Sequence, residues 1–126
     1  MESKTMLPDR TPTQPGSTRP IRGIRSGSSR LIDAVATLAV SGILTDHRET
    51  SWASITFAGT RHGMTWLFRG VDAVECGETF IAALPDHEFR IPGCLVADAT
   101  IVEVSSGQLP EPTMTAKIEV LLLDEA

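Results

Sequence analysis

Two stretches of the chain alternate between apolar and polar residues, which is typical of half-buried β-strands. The alternation runs over residues 51–60 and again over residues 64–69. A two-residue loop at His62-Gly63 between them suits a primed turn, because glycine accepts positive φ values and histidine is enriched there. Such a loop places Phe57 opposite Phe68, so the apolar faces of both strands coincide. The pattern predicts a β-hairpin that turns at His62-Gly63.

The segment before this hairpin is predicted to be a core helix. Residues 31–44 are strongly apolar, with Asp33 as the single charge. Ser28 or Ser29 can cap the start, and Gly42 is placed to end the helix. A signal-peptide core is the alternative, but the 30 residues before it and the internal Asp33 fit that alternative poorly.

A second helix is predicted over residues 72–84. Asp72 with Glu75 three residues later has the pattern of a capping box, and Pro85 ends the helix. Its apolar residues form one stripe, namely Ala73, Val74, Gly77, Phe80, Ile81 and Leu84.

Two further strands are predicted at residues 94–104 and 113–123, joined by a turn-rich segment, with Val104 placed opposite Thr113. One face of the last strand is apolar, with Met114, Ala116, Ile118, Val120 and Leu122. The opposite face of this pair is also more apolar than a solvated surface. We expect it to be an interface for self-association, or to be covered by the N-terminal segment; its residues are Val96, Val102, Val104, Leu121 and Leu123.

Together these elements predict an α+β fold in the order αββαββ. The expected architecture is a two-layer sandwich, in which a four-stranded, mainly antiparallel sheet carries two helices on one face. A chain of 126 residues can bury a sufficient core as one domain without a disulfide or metal.

The charge is divided unevenly along the chain. The net charge is −5, yet residues 1–30 hold six basic and two acidic side chains, so residues 31–126 sum to −9. An acidic body argues against nucleic acid as its partner, because phosphate neutralisation needs clustered Lys and Arg.

Residues 1–28 are predicted to be a disordered, basic extension rich in Pro, Ser and Arg, and residues 29–126 the single domain. A transit peptide, a nucleic-acid or membrane tether and a misassigned start codon are compatible with the same composition.

The only candidate catalytic residues that the sequence offers lie between the second helix and the third strand. Cys94 and His87 could form a thiol–imidazole pair, with Asp86 or Asp98 orienting the ring. The simpler interpretation is a solvated loop beside a core thiol. No nucleotide-binding, nucleophile-elbow or metalloprotease motif is present in the sequence.

No metal or cofactor is expected from the sequence. His47 with Glu49, and His87 with Glu88, offer two ligands each, whereas a zinc site needs three or four that converge. His62 is assigned to the hairpin turn and so does not contribute. The two cysteines, Cys76 and Cys94, are interpreted as reduced core thiols, which favours a cytoplasmic location.

Five segments of the chain resemble a group of small uncharacterised bacterial proteins. They are ITFAGTRH (55–62), LPDHEF (84–89), IPG (91–93), LVAD (95–98) and LLL (121–123). The resemblance covers residues 30–124. It implies a bacterial, cytoplasmic setting and an N-terminal extension, and it implies no activity.

The function expected from these observations is a non-catalytic interaction or regulatory module that forms homo-oligomers. The alternative is a small enzyme or ligand-binding domain that uses the loop from Asp86 to Cys94. In a third interpretation the basic N-terminal segment tethers the acidic domain to nucleic acid or to a membrane.

Overall fold

The computed structural model describes residues 27–125, and the predicted extension lies almost entirely outside them. The elements are α1 (Gly27–Leu38), β1 (Ile43–Ala53), β2 (Ala58–Arg69), α2 (Val71–Ala83), a 3-10 turn (Leu84–Asp86), β3 (Cys94–Gly107) and β4 (Thr113–Asp124). The predicted order αββαββ is confirmed.

The four strands form one antiparallel sheet in the order β1–β2–β4–β3. The strands β2 and β4 are therefore central, and β1 and β3 are the edges. Both helices contribute buried side chains to a single core on one face of the sheet, which confirms the predicted α+β architecture.

The core lies between the helices and alternate residues of the central strands. All five residues predicted for the apolar face of β4 are buried, which confirms that prediction. They meet Leu31 and Val35 from α1 and Phe80 from α2. On β2 the buried positions are His62, Met64, Trp66 and Phe68.

The predicted turn at His62-Gly63 is wrong. Both residues lie inside β2, where Gly63 pairs with Arg48 on one side and Glu119 on the other. The hairpin turns instead over residues 54–57. There Ser54 N–H donates to the Phe57 carbonyl (2.7 Å), and the Ser54 hydroxyl accepts from Phe57 N–H (3.0 Å). This serine-based turn has no glycine, so it lacks the signal on which the prediction relied.

The first apolar segment is divided between two elements, and its helix ends one turn before Gly42, the residue predicted to stop it. Helix α1 ends at Leu38, and the chain reverses through Ser41, whose φ is 67°. Ile43 and Leu44 then begin β1. Apolar content alone does not separate a buried helix from a buried strand start.

Helix α2 has nearly the predicted bounds, but its cap is different. Gly70 is the N-cap residue, with φ of 96° and no side-chain hydrogen bond, so the predicted Asp72 cap is wrong. Asp72 instead lies in the first turn, where its charge complements the helix dipole. A positive φ at the junction between β2 and α2 requires glycine more strongly than a capping side chain.

Strands β3 and β4 pair as predicted, but in a different register. Thr113 lies opposite Gly107, and Val104 lies opposite Ala116. Two irregularities, between Val96 and Asp98 and between Ile101 and Glu103, shift the pairing further along the strand. Each adds a residue on one strand only, which an alternation pattern does not reveal.

The space around two glycines, Gly77 in α2 and Gly63 in β2, predicts different effects of replacing them with alanine. A Cβ at Gly77 would lie 2.6 Å from Met114 Cε and 2.8 Å from Phe68 Cγ, whereas a Cβ at Gly63 would meet nothing within 4 Å. We expect Gly77→Ala to lower the free energy of unfolding by about 1–2 kcal/mol, because overpacking exceeds the gain in helix propensity.

Gly63→Ala is the matched control and should leave stability within about 0.5 kcal/mol, because an extended strand position accepts alanine. Urea denaturation of both variants measures these changes. Marked destabilisation by Gly63→Ala would contradict its placement inside β2.

Candidate functional site

The loop residues proposed from the sequence are not brought together. The His87 side chain is exposed and packs edge-on against Phe89, with ring centroids 4.5 Å apart. Cys94 packs against the core, whereas Asp98 pairs with Leu121 on the opposite face of the sheet. Within residues 27–125, no side-chain hydrogen bond or ion pair joins any two of Asp86, His87, Cys94 and Asp98.

The predicted interface residues are divided between the two faces of the sheet. Val96 and Val104 pair with Leu122 and Ala116, whose side chains are buried beneath the helices, so both valines belong to the helix-facing side. Leu121 and Leu123 occupy the alternate positions of β4 and face the other way. Val102 lies at the second irregularity and is 56% exposed.

The face turned away from the helices, here called the open face, is a mixed surface with no excess charge. Its strand positions carry four basic and four acidic side chains, namely Arg48, Arg61, Arg69, Lys117, Asp46, Asp98, Glu103 and Glu119. Ion pairs link Arg61 to Glu119 (3.6 Å) and Lys117 to Glu103 (3.7 Å). Residues 27–125 as a whole hold six basic and 14 acidic side chains, a net charge of −8. The open face is thus neutral on a strongly acidic domain.

One end of the open face is apolar. The residues Trp52, Gly59, Leu123 and Leu95 are paired in register and form a row across all four strands. Phe57, in the hairpin loop beside this row, is 51% exposed, and Leu95 is 49% exposed. Phe57, Leu95 and Leu123 line one concave surface. We call these five residues the apolar row.

The helix-facing side holds a polar cluster that the sequence did not indicate. Because β2 continues through Gly63, His62 points into the core and is fully buried. Glu49 lies directly opposite it on β1, and His47 is the next residue of β1 on the same face. Thr60 precedes His62 by two residues on that face. The four side chains Thr60, His62, His47 and Glu49 form what we call the histidine cluster.

Short hydrogen bonds join three members of the cluster. His62 Nδ1 lies 2.9 Å from His47 Nε2, and His62 Nε2 lies 2.8 Å from the Thr60 hydroxyl. The imidazole centroids of His47 and His62 are 5.2 Å apart, and the ring planes differ by 9°. That separation is the N···N distance plus one ring radius at each end. The rings therefore lie end to end in nearly one plane, and the bond between them is straight.

This geometry restricts the proton positions. Only one proton can lie between the two facing nitrogens, so one imidazole donates and the other accepts. The Thr60 hydroxyl can accept from His62 Nε2–H, which leaves the Nδ1 lone pair directed at His47. In the reverse arrangement Thr60 donates, and His62 donates to His47. Both arrangements satisfy every ring nitrogen of the buried histidine.

Burial lowers the pKa of His62 below its ordinary value of 6.5, because the imidazolium loses hydration. The charge of Glu49 opposes this effect and that of His47 adds to it, both more weakly. His62 is therefore held neutral at pH 7, with a lone pair available on one nitrogen.

Glu49 is on the exposed side of the cluster, beneath the start of α1. The Ser28 hydroxyl donates to Glu49 Oε1 (3.0 Å), which ties the edge strand to the first turn of the helix. Ligand atoms of His47, Glu49 and His62 all lie within 4.8 Å of one another. Two imidazole nitrogens and a carboxylate oxygen at this spacing are chemically able to hold a transition-metal ion.

Sequence reasoning missed the cluster for one reason. It assigned His62 to a turn, which removed the third member of the set. The alternation itself contained the signal, because His62 is two residues before Met64 and so shares the strand face of the apolar residues Met64, Trp66 and Phe68.

Comparison of the chain with protein-family models, with curated proteins and with solved structures finds no match. Among residues 27–125, no helix has the length and apolar character needed to cross a membrane.

The buried His62 predicts a pH dependence of stability in the metal-free protein. Since its pKa is lower in the folded state, the unfolded chain binds the extra proton more readily below pH 6.5. Stability is then full above pH 6.5 and falls as the pH drops from there toward the folded pKa, by up to about 1.4 kcal/mol per pH unit.

Urea denaturation at pH 7.5 and 5.5, in the presence of a chelator, measures this effect. His62→Gln should flatten the dependence, whereas His87→Gln, which alters an exposed histidine, should leave it unchanged. Equal slopes for wild type and His62→Gln would contradict the assignment.

Proposed function

We propose that the domain is a non-catalytic interaction module that pairs with a second copy of itself through the open face. The observation that carries this proposal is the apolar row, in which Phe57 and Leu95 are about half exposed. Within residues 27–125, both helices pack against the other face of the sheet. Solvated sheet faces normally carry polar residues at such positions.

Charge favours an identical partner. Two copies of a domain with a charge of −8 over residues 27–125 repel each other at most orientations. The open face carries equal numbers of basic and acidic side chains, so its approach to the same face of another copy is not opposed.

The area of the face is adequate for a stable pair. Four strands about 4.8 Å apart and about eleven residues long span roughly 700 Å². Standard interfaces bury about 800 Å² on each partner. The polar centre and apolar end of this face also match the mixed character of non-obligate interfaces.

A cytoplasmic setting is part of the proposal. Cys76 and Cys94 are both free and half-buried, and nothing in their surroundings requires an oxidising compartment.

Leu95→Lys tests the proposal in the full-length chain. A lysine at this position of the apolar row would place two like charges in a two-fold interface, so we expect at least a tenfold weaker dimer. Val71→Lys is the matched control, because Val71 is a 62% exposed apolar residue at the start of α2, away from the open face.

Sedimentation velocity over a range of protein concentrations measures both variants. The expected result is a wild-type dimer that persists in Val71→Lys and dissociates in Leu95→Lys. A monomeric wild type, or a dimer that Leu95→Lys leaves intact, would refute the proposal.

A further inference from the structure

We propose that His47, Glu49 and His62 form a binding site for a divalent transition-metal ion of the zinc class. The ligand atoms are one ring nitrogen of each histidine and a carboxylate oxygen of Glu49. The site lies on the helix-facing side of the sheet, and its test is therefore independent of pairing through the open face.

The choice of metal follows from the ligand atoms. Imidazole nitrogens suit zinc, copper, nickel and iron, whereas calcium and magnesium prefer sites made of oxygen alone. Three protein ligands leave a fourth tetrahedral position open for water. Among residues 27–125, this is the only group of three or more His, Cys, Asp or Glu side chains whose ligand atoms converge.

His62 is the rigid part of the site. It is fully buried, and the Thr60 hydroxyl lies 2.8 Å from its Nε2 atom. When Thr60 accepts that N–H, the lone pair of His62 is fixed on Nδ1, the atom that faces His47. A second hydrogen bond that sets the tautomer and orientation of a ligating histidine is a general feature of metal sites.

His47 and Glu49 are the adjustable part. Both are on the edge strand β1, His47 is half-buried, and Glu49 is exposed. The facing nitrogens are 2.9 Å apart, and two nitrogens about 2.1 Å from one tetrahedral ion are about 3.4 Å apart. The N···N distance must therefore grow by about half an ångström. Because the His62 lone pair points straight at His47, the His47 nitrogen must also swing out of line by about 2 Å to complete a tetrahedral angle, a movement that an edge strand allows.

The charge of Glu49 is needed at this position. The two imidazoles are neutral ligands, so Glu49 supplies the negative charge of the ligand set. The Ser28 hydroxyl of α1 donates to its Oε1 atom, which leaves further carboxylate lone pairs for an ion. Neutralising Glu49 should therefore weaken the binding of a divalent cation.

The probe is Zn²⁺ itself, titrated calorimetrically into metal-stripped, untagged full-length protein at pH 7.5. We expect one ion per chain and a rise in melting temperature with Zn²⁺ concentration. Co²⁺ should give the visible absorption bands of a tetrahedral site.

Two substitutions remove ligands, and two matched substitutions act as controls. His47→Ala and Glu49→Gln should each weaken Zn²⁺ binding at least tenfold. His87→Ala and Glu88→Gln alter the same residue types at exposed positions outside the cluster and should bind as wild type does. Thr60→Val tests the positioning of His62 and should weaken binding by roughly 10–100-fold.

Circular dichroism of each variant checks that the fold is retained. If His47→Ala unfolds, Glu49→Gln still tests the proposal, because the glutamine amide oxygen can accept the hydrogen bond from Ser28. Absence of Zn²⁺ binding by the wild type would overturn the inference. Undiminished binding by folded His47→Ala or Glu49→Gln would overturn it equally, since the ion would then be held elsewhere.

Discussion

The strand β2 is hydrogen-bonded along both of its edges, and the rest of the domain depends on this double pairing. From Gly59 to Leu67 each residue has a partner on β1 and another on β4, and the one irregularity in the β1 pairing is an unpaired Thr45 on β1. A strand held on both sides has no freedom to rotate its side chains to the other face. Every second residue must therefore enter the core, whatever its chemistry.

His62 is the position at which this constraint has a cost. An imidazole in the core must have hydrogen-bond partners, because an unpaired buried polar group costs about 1–3 kcal/mol. The same strand supplies Thr60, and the neighbouring edge strand supplies His47. The polar cluster is thus a consequence of sheet register, and its metal-binding geometry follows from the need to satisfy one buried ring.

The same register organises the open face. With the core residues fixed on one side, the alternate positions of all four strands must face away from the helices. Charged side chains occupy the middle rows in balanced numbers, and the row at the Trp52–Leu95 end is apolar. The two proposed sites therefore lie on opposite sides of one sheet and can vary independently.

The sequence predicted the elements well and their junctions poorly. Helix α2, the strand pair β3–β4 and the buried face of β4 were foreseeable, because long periodic segments bury one face. The predicted position of the hairpin turn was wrong, because a glycine inside a strand, such as Gly63, has the same local sequence pattern as a glycine in a turn.

The predicted register between β3 and β4 was wrong because two irregularities shift the pairing without changing the apolar pattern. The histidine cluster required partners 15 residues apart to be paired correctly, which no local pattern contains.

The most direct test of this account is the hydrogen bond between the two imidazoles. In ¹⁵N-labelled, metal-free protein at pH 7.5, NMR can detect scalar coupling across an N–H···N bond and can assign the tautomer of each ring. We expect a coupling between His47 Nε2 and His62 Nδ1, with His62 in one defined tautomer. Absence of the coupling, with His62 showing the averaged tautomers of a solvated histidine, would contradict the placement of His62 in the core and the arrangement that depends on it.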